Sequence, residues 1–146
     1  MPGVPSIYYG SEWGIEGKRS GGNDHALRPH LDLFEVSRNS PHRNLAGVIS
    51  RLARIRRDSE ALRYGSYCQL LVNHEQFAFA RQTGEECVVV TVNAADKPVP
   101  FELSLPVTGR NQLSDLLNEG ENFPVRGGRA RIDVVKPCWS RIMIAK

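Results

Sequence analysis

The alternation of apolar and polar positions changes period near Ser66, and that change divides the chain in two. From Ser66 onward the period is two. "YCQLLV", "QFAFARQ", "CVVVTVN", "VPFELSL", "QLSDLL", "RARIDVV" and "WSRIMIA" are strand-length segments rich in β-branched and aromatic residues. "NHE", "TGEE", "NAADKP", "PVTGRN", "NEGEN" and "RGG" separate them with turn residues. Short strands recurring every 8–12 residues or so predict an antiparallel sandwich or barrel.

Ahead of Ser66 the period is helical. In "NSPHRNLAGVISRLARIRRDSEAL", Leu45, Val48, Ile49, Leu52 and Ile55 fall at i, i+3, i+4, i+7 and i+10, which makes one apolar stripe. Ser40 is expected to be the N-cap and Pro41 the first helical residue, with fraying from Arg57 to Leu62 and a stop at Gly65. Gly10 to Asn39 has little periodicity and contains the turn-rich "GKRSGGND", so it is expected to be a long loop, of the kind that is mostly functional or disordered. Val4 to Tyr9 is expected to be a strand, with Pro5 near its start where a missing N–H is tolerated. Ile7 and Tyr9 lie on one face and Tyr8 on the other, the pattern of a strand covered on both sides in a parallel sheet. The expected fold class is therefore mainly β: an antiparallel β-sandwich, residues 64–146, preceded by one βα unit, residues 1–63.

Composition narrows the class without identifying a function. The chain is 40% hydrophobic and 24% charged, with a net charge of +3, as in an ordinary globular domain. No apolar run approaches the roughly 18 residues of a membrane span, and the basic-then-apolar order of a signal peptide is missing. Cys68, Cys87 and Cys138 form no CxxC pair and no ligand cluster, so the expectation is free thiols in a reducing, cytoplasmic setting, with no metal, no cofactor and no membrane partner. Arg51, Arg54, Arg56, Arg57 and Arg63 form a basic run, but Asp58 and Glu60 interrupt it. A solvated or salt-bridged helix face is expected there and not a nucleic-acid surface.

Candidate chemistry concentrates in the first forty residues. "PGVPSIYYGSEWG" resembles the motif at the eighth barrel strand of the α-amylase family, glycoside hydrolase family 13, roughly G-x-P-x-I-Y-Y-G-x-E. Gly3, Pro5, Ile7, Tyr8, Tyr9, Gly10 and Glu12 carry the match. "RLARIRRDSEALRYGSY" is similar to that family's eighth barrel helix and its exit. "CVVVTVNAADKPVPFEL" and "LSDLLNEGE" are similar to parts of its C-terminal β-sandwich. The resemblance covers essentially the whole chain. It implies the last strand, loop and helix of an incomplete (β/α)8 barrel, followed by the C-terminal domain.

The implied activity is hydrolysis of α-glucans such as maltooligosaccharides, by a larger protein. Such chemistry needs an acid and a nucleophile, two carboxyl groups about 5–5.5 Å apart in retaining enzymes. The resemblance implies that those groups sit at the ends of the fourth, fifth and seventh strands, outside this chain. Glu12, Glu16, Asp24, Asp32 and Glu35 show no pairing in the sequence, so no catalytic residue is assigned and the isolated chain is expected to be inactive. Calcium, where relatives bind it, is implied to lie in earlier parts of the barrel.

Substrate contact is assigned to Tyr9, Trp13, Asp24 and Arg28. "NDHALRP" is similar to the family's D-P-x-x-R-x-P element, keeping Asp24, Arg28 and Pro29, with His25 after the Asp. Barrel loops at the C-terminal strand ends are where such enzymes bind substrate, and paired carboxylate and guanidinium groups grip hydroxyls through charge-assisted bonds. The competing readings are an Asp–Arg pair that only orders the loop, and aromatics that belong to a core. An alternative assignment is a free-standing carbohydrate-binding or structural β-sandwich, with Trp139 and Phe123 as a sugar platform in place of core residues. Partners are expected to be α-glucan through the parent enzyme, with self-association or mobility of residues 1–60 when the barrel neighbours are absent.

Overall fold

The computed structural model describes residues 3–19, 21–118 and 120–146. Two compact units result, Gly3–Ala53 and Arg54–Lys146, with their boundary inside a helix.

The first unit holds two single-turn 3₁₀ helices, Ser11–Trp13 and His25–Leu27, then α1 (Leu33–Asn39) and the start of α2 (Leu45–Asp58). Three expectations are corrected here. Val4 to Tyr9 forms no strand: a strand takes its hydrogen bonds from neighbours, and no described residue pairs with it. Val4 is 92% exposed and Ile7 and Tyr8 are more than half exposed. Gly10 to Asn39 is not one loop, because α1 forms within it. Asp32 caps α1, its Oδ1 accepting from the backbone N–H of Phe34 at 2.8 Å and of Glu35 at 3.1 Å. Ser40 caps no helix start. Its hydroxyl instead donates to the Trp13 carbonyl at 2.6 Å and accepts from the His42 N–H at 3.0 Å, so α2 begins only at Leu45.

In the second unit α2 stops at Asp58, and Ser59 restarts the helix as α3 (Glu60–Tyr64) by accepting from Leu62 N–H at 3.1 Å. The predicted frayed end is thus a break and a capped restart. Gly65 ends α3, as expected.

Eight strands follow: β1 (Ser66–Val72), β2 (Gln76–Gln82), β3 (Cys87–Asn93), β4 (Val99–Ser104), β5 (Gln112–Asp115), β6 (Asn122–Arg126), β7 (Arg129–Val135) and β8 (Trp139–Ala145). They pair antiparallel in the order β1-β2-β3-β8-β5-β6-β7-β4. The end strands β1 and β4 come within 8 Å of each other, so the sheet is nearly closed into a barrel and the unit is mainly β.

Alternation explains what fills the interior. Ala78, Val89, Phe101, Leu113, Ile132 and Met143 turn inward and are fully buried. On the outer face of β3 and β8, Val88 and Ile142 pack under Ala61 and Leu62 of α3. That double cover accounts for the unbroken apolar run of β3. Asn93 ends β3 inside the unit, where its Nδ2 donates to the carbonyls of Lys97, Val135 and Lys136 and its Oδ1 accepts from Ala95 N–H. One buried amide therefore ties the β3–β4 turn to the end of β7.

Candidate functional site

The "YGSEWG" stretch folds back on itself. Gly10 takes a φ of 88°, which side chains other than glycine rarely adopt, and its carbonyl accepts from both Trp13 N–H and Ile15 N–H at 3.1 Å. Gly17 serves through its size instead: a Cβ there would lie 2.4 Å from the carbonyl oxygen of Ala26. These two glycines let the chain bring Tyr8 and Tyr9 up to the segment that carries Asp24 and Arg28.

Between them lies a concavity of about 370 Å³, lined among others by Tyr8, Tyr9, Glu16, Asp24, Arg28 and Pro29. Tyr9 Oη donates to the Pro29 carbonyl at 3.4 Å, and the two tyrosine rings sit 4.8 Å apart, centroid to centroid. The Tyr9 phenol is held above its ordinary pKa, first by loss of solvent around it and then by Tyr8, with Arg28 pulling the other way. Asp24 pairs with Arg19 at 3.1 Å, not with Arg28.

Trp13 lies elsewhere. It lines a smaller concavity of about 200 Å³ with Glu12, Leu31, Leu33 and Val36, which meets the first only at Tyr9. Of the four residues singled out from sequence, the structure thus gathers Tyr9, Asp24 and Arg28 and separates Trp13. Glu16 joins the first three, and only its position in the same loop hinted at that.

The second unit carries a broader concavity of about 920 Å³ on the outward side of β4, β6 and β7. Arg131 lies in it between Glu102 at 3.4 Å and Asp133 at 2.7 Å, with Arg126 and Arg129 alongside. Inside the sheet, Arg141 contacts Asp115 and Glu121, each at 2.8 Å. Burial disfavours its charge, but the two carboxylates outweigh that and hold the guanidinium above its ordinary pKa. Phe123 is half-buried with Arg141 over its ring at 5.0 Å, whereas Trp139 is 43% exposed. Among the described residues no three His, Cys, Asp or Glu side chains gather as metal ligands, and no helix is long and apolar enough to cross a membrane.

Comparison with known proteins gives this geometry a class. Residues 67–138 match the model of the neopullulanase-like C-terminal domain. A cyclomaltodextrin glucanotransferase of Bacillus sp. (strain 38-2) is 34% identical over 133 residues, which are 88% of this chain and 17% of the relative. A cyclomaltodextrinase of Thermoanaerobacter pseudethanolicus is 33% identical over 95 residues, 65% of this chain and 15% of the relative. The fold is that of the corresponding part of an Anoxybacillus α-amylase, with a TM-score of 0.81 and 22% identity over 99% of this chain and 29% of that one. The chain is a C-terminal, partial-length match to the α-amylase family, glycoside hydrolase family 13. The chain spans 12 to 17% of the length of the curated relatives it matches.

Proposed function

We propose that the chain is the C-terminal portion of an α-amylase-family enzyme acting on α-glucans. Residues 1–63 complete a (β/α)8 barrel and line its substrate cleft, and residues 64–146 form the C-terminal antiparallel β domain. The observation that carries this reading is the concavity that collects Tyr9, Asp24 and Arg28 beside the "PGVPSIYYGSEWG" motif. A carboxylate, a guanidinium and two phenol rings around one hollow match a pyranose, whose hydroxyls take charge-assisted hydrogen bonds and whose C–H faces sit on aromatic rings. The names of the relatives, cyclomaltodextrin glucanotransferase and cyclomaltodextrinase, support α-glucan as the substrate class.

The chemistry itself is assigned to carboxylates outside this chain. Asp32 is engaged as a helix cap and Asp24 as an ion pair, which supports binding and structural roles for them. Free thiols at Cys68, Cys87 and Cys138 support a reducing, cytoplasmic compartment.

Two measurements test the reading. An antibody raised against Ser66 to Lys146 should detect, in source cells, a protein tens of kilodaltons heavier than 16.3 kDa, since a barrel of about 250 residues must precede the domain. In that protein, Asp24→Ala or Arg28→Ala should weaken maltooligosaccharide turnover about 10–100-fold, the worth of a charge-assisted hydrogen bond. A band at 16.3 kDa, or glucan hydrolysis by the purified 146-residue chain, would overturn the assignment.

A further inference from the structure

The β6–β7 hairpin closes through Gly127 and Gly128, at φ values of 57° and 74°, a two-residue turn of the kind whose twist matches that of the strands it joins. The register sets Arg126 directly opposite Arg129. Val125 and Ala130, the pair before them, are buried in the interior, so alternation turns both arginines outward, and both are exposed. On the other side of β7, exposed Ser104 of β4 stands opposite Arg129. One row across three strands therefore holds two guanidinium groups and a hydroxyl, and it lines the concavity of about 920 Å³.

The next row of the same face is electrically complete. Arg131 lies opposite Glu102 and contacts it at 3.4 Å, with Asp133 at 2.7 Å on its other side. Arg126 and Arg129 have no such answer: among the described residues no carboxylate pairs with either. Like charges directly opposite each other on a sheet face repel. The strands cannot slide to part them, because a shift by one residue would turn Val125 and Ala130 out of the core. Two positive charges are thus held side by side by a fixed register, in a hollow whose third arginine is already neutralised.

We infer that Arg126, Arg129 and Ser104 form a binding site for a small phosphomonoester. Two guanidinium charges match a dianion, and a phosphomonoester carries about −1.5 to −2 at neutral pH with three acceptor oxygens on one centre. The two guanidinium forks take its oxygens through paired N–H donors, and the Ser104 hydroxyl donates to an oxygen left over. A carboxylate brings one charge and two oxygens and leaves one guanidinium unanswered. The hollow is also larger than a bare phosphate. Pro124 and Asn122 line it on β6, the first two residues before Arg126 and the second four, so both share its face and offer the organic part an apolar ring and an amide. Because the turn and register already hold the donors together, binding does not have to gather them, and less of the contact energy is lost to ordering. The site is independent of the α-glucan reading and of the Tyr9–Asp24–Arg28 hollow.

The test titrates the ¹⁵N-labelled 146-residue chain, at fixed ionic strength, with phenyl phosphate, phenyl sulfate and inorganic phosphate. Phenyl phosphate should shift the backbone amide signals of Gly127, Gly128 and Arg129 in a saturable way. Phenyl sulfate, of the same shape with less charge, should bind about tenfold more weakly or worse, and inorganic phosphate, without the organic part, about threefold more weakly or worse. Arg126→Gln and Arg129→Gln should each weaken phenyl phosphate about tenfold, the worth of a charge-assisted hydrogen bond. Arg126→Lys and Arg129→Lys, which keep the charge and lose the fork, should fall between them and the wild type. Both positions are exposed, so amide signals outside the hairpin should stay in place in all four variants, which separates lost binding from a lost fold. Shifts that never saturate, equal binding of phenyl sulfate and phenyl phosphate, or glutamine variants that bind like the wild type overturn the inference. Inorganic phosphate binding as tightly as phenyl phosphate overturns the phosphomonoester as its ligand.

Discussion

Asp115 accepts at both carboxylate oxygens: Oδ1 from the backbone N–H groups of Leu117 and Asn118, each at 2.9 Å, and Oδ2 from Asn118 Nδ2 and Arg141 Nη1. Removing it strands a buried guanidinium and unties the turn after β5. Asp115→Ala should therefore cost about 3–5 kcal/mol, the range for breaking one side of a buried ion pair, read as a lowered urea midpoint. A loss under about 1 kcal/mol would mean that Glu121 alone satisfies Arg141. Part of this was legible, since Arg141 is a charged residue in phase with the inward Met143 and Ala145 of "WSRIMIA". Its partner was not, because Asp115 lies 26 residues away and alternation says which face a residue occupies without saying what it meets.

Cys87, also inward-facing, has its pKa pushed up to about 11 by burial, against a smaller lowering by Arg110. The folded thiol holds its proton more tightly than the unfolded one, whose ordinary value is 9.0. Its contribution to stability is thus complete below about pH 9 and fades as pH rises through 11. Urea midpoints from about pH 8 to 11 should fall less steeply for Cys87→Val than for the wild type, and parallel curves would refute the shift. At about pH 8, iodoacetamide should label exposed Cys138 well before Cys87, as mass spectrometry after timed labelling would record.

At the scale of elements, legibility follows the strength of the pattern. "QFAFARQ" and "CVVVTVN" coincide with β2 and β3 to the residue. β6 escapes the pattern because "NFPVR" is short and holds Pro124, which argues against a strand; it pairs with β5 regardless, Pro124 opposite Gln112. α1 escapes it because its seven residues are too few to show a period, and its one strong signal is the Asp32 cap. Val4 to Tyr9 has the composition of a strand, yet strand formation depends on neighbours that composition cannot report.

Two glycines separate packing from propensity. A Cβ at Gly65 would lie 2.6 Å from the Ala61 carbonyl oxygen and 2.7 Å from that of Gln82, so Gly65→Ala must push α3 away from β2. The expected cost is about 1–3 kcal/mol. Gly47, inside α2, has nothing within 4 Å of its Cβ position. Gly47→Ala should raise helix content and stabilise α2 by about 1 kcal/mol. Circular dichroism melts of the two variants should move in opposite directions. A stable Gly65→Ala would show that α3 and β2 are less tightly joined than their backbones indicate.

For the whole molecule, the decisive contrast is in how each unit is held. The Arg54–Lys146 unit has a continuous buried interior and an antiparallel ladder through all eight strands, whereas neither 3₁₀ turn nor α1 nor α2 buries a single residue. Local opening costs least where few apolar contacts must be broken. Amide exchange should therefore be slowest in β2, β3 and β8 and fast throughout Gly3–Ala53, and limited trypsin should cut first at Lys18, Arg19, Arg28 or Arg38. The resistant product should begin near α3, because Ala61 and Leu62 are packed on β3 and β8, and should run through β8. The same exposure makes a second outcome concentration-dependent. Ile7, Tyr8, Leu33, Phe34, Val48 and Leu52 leave apolar surface open to solvent, so raising the concentration should protect residues 1–60 through self-association. Strong, uniform protection of Ile7 and Tyr8 in a chain shown by sedimentation to be monomeric would contradict both outcomes. It would mean that residues 1–60 fold without the strands that the functional reading assigns to the rest of the enzyme.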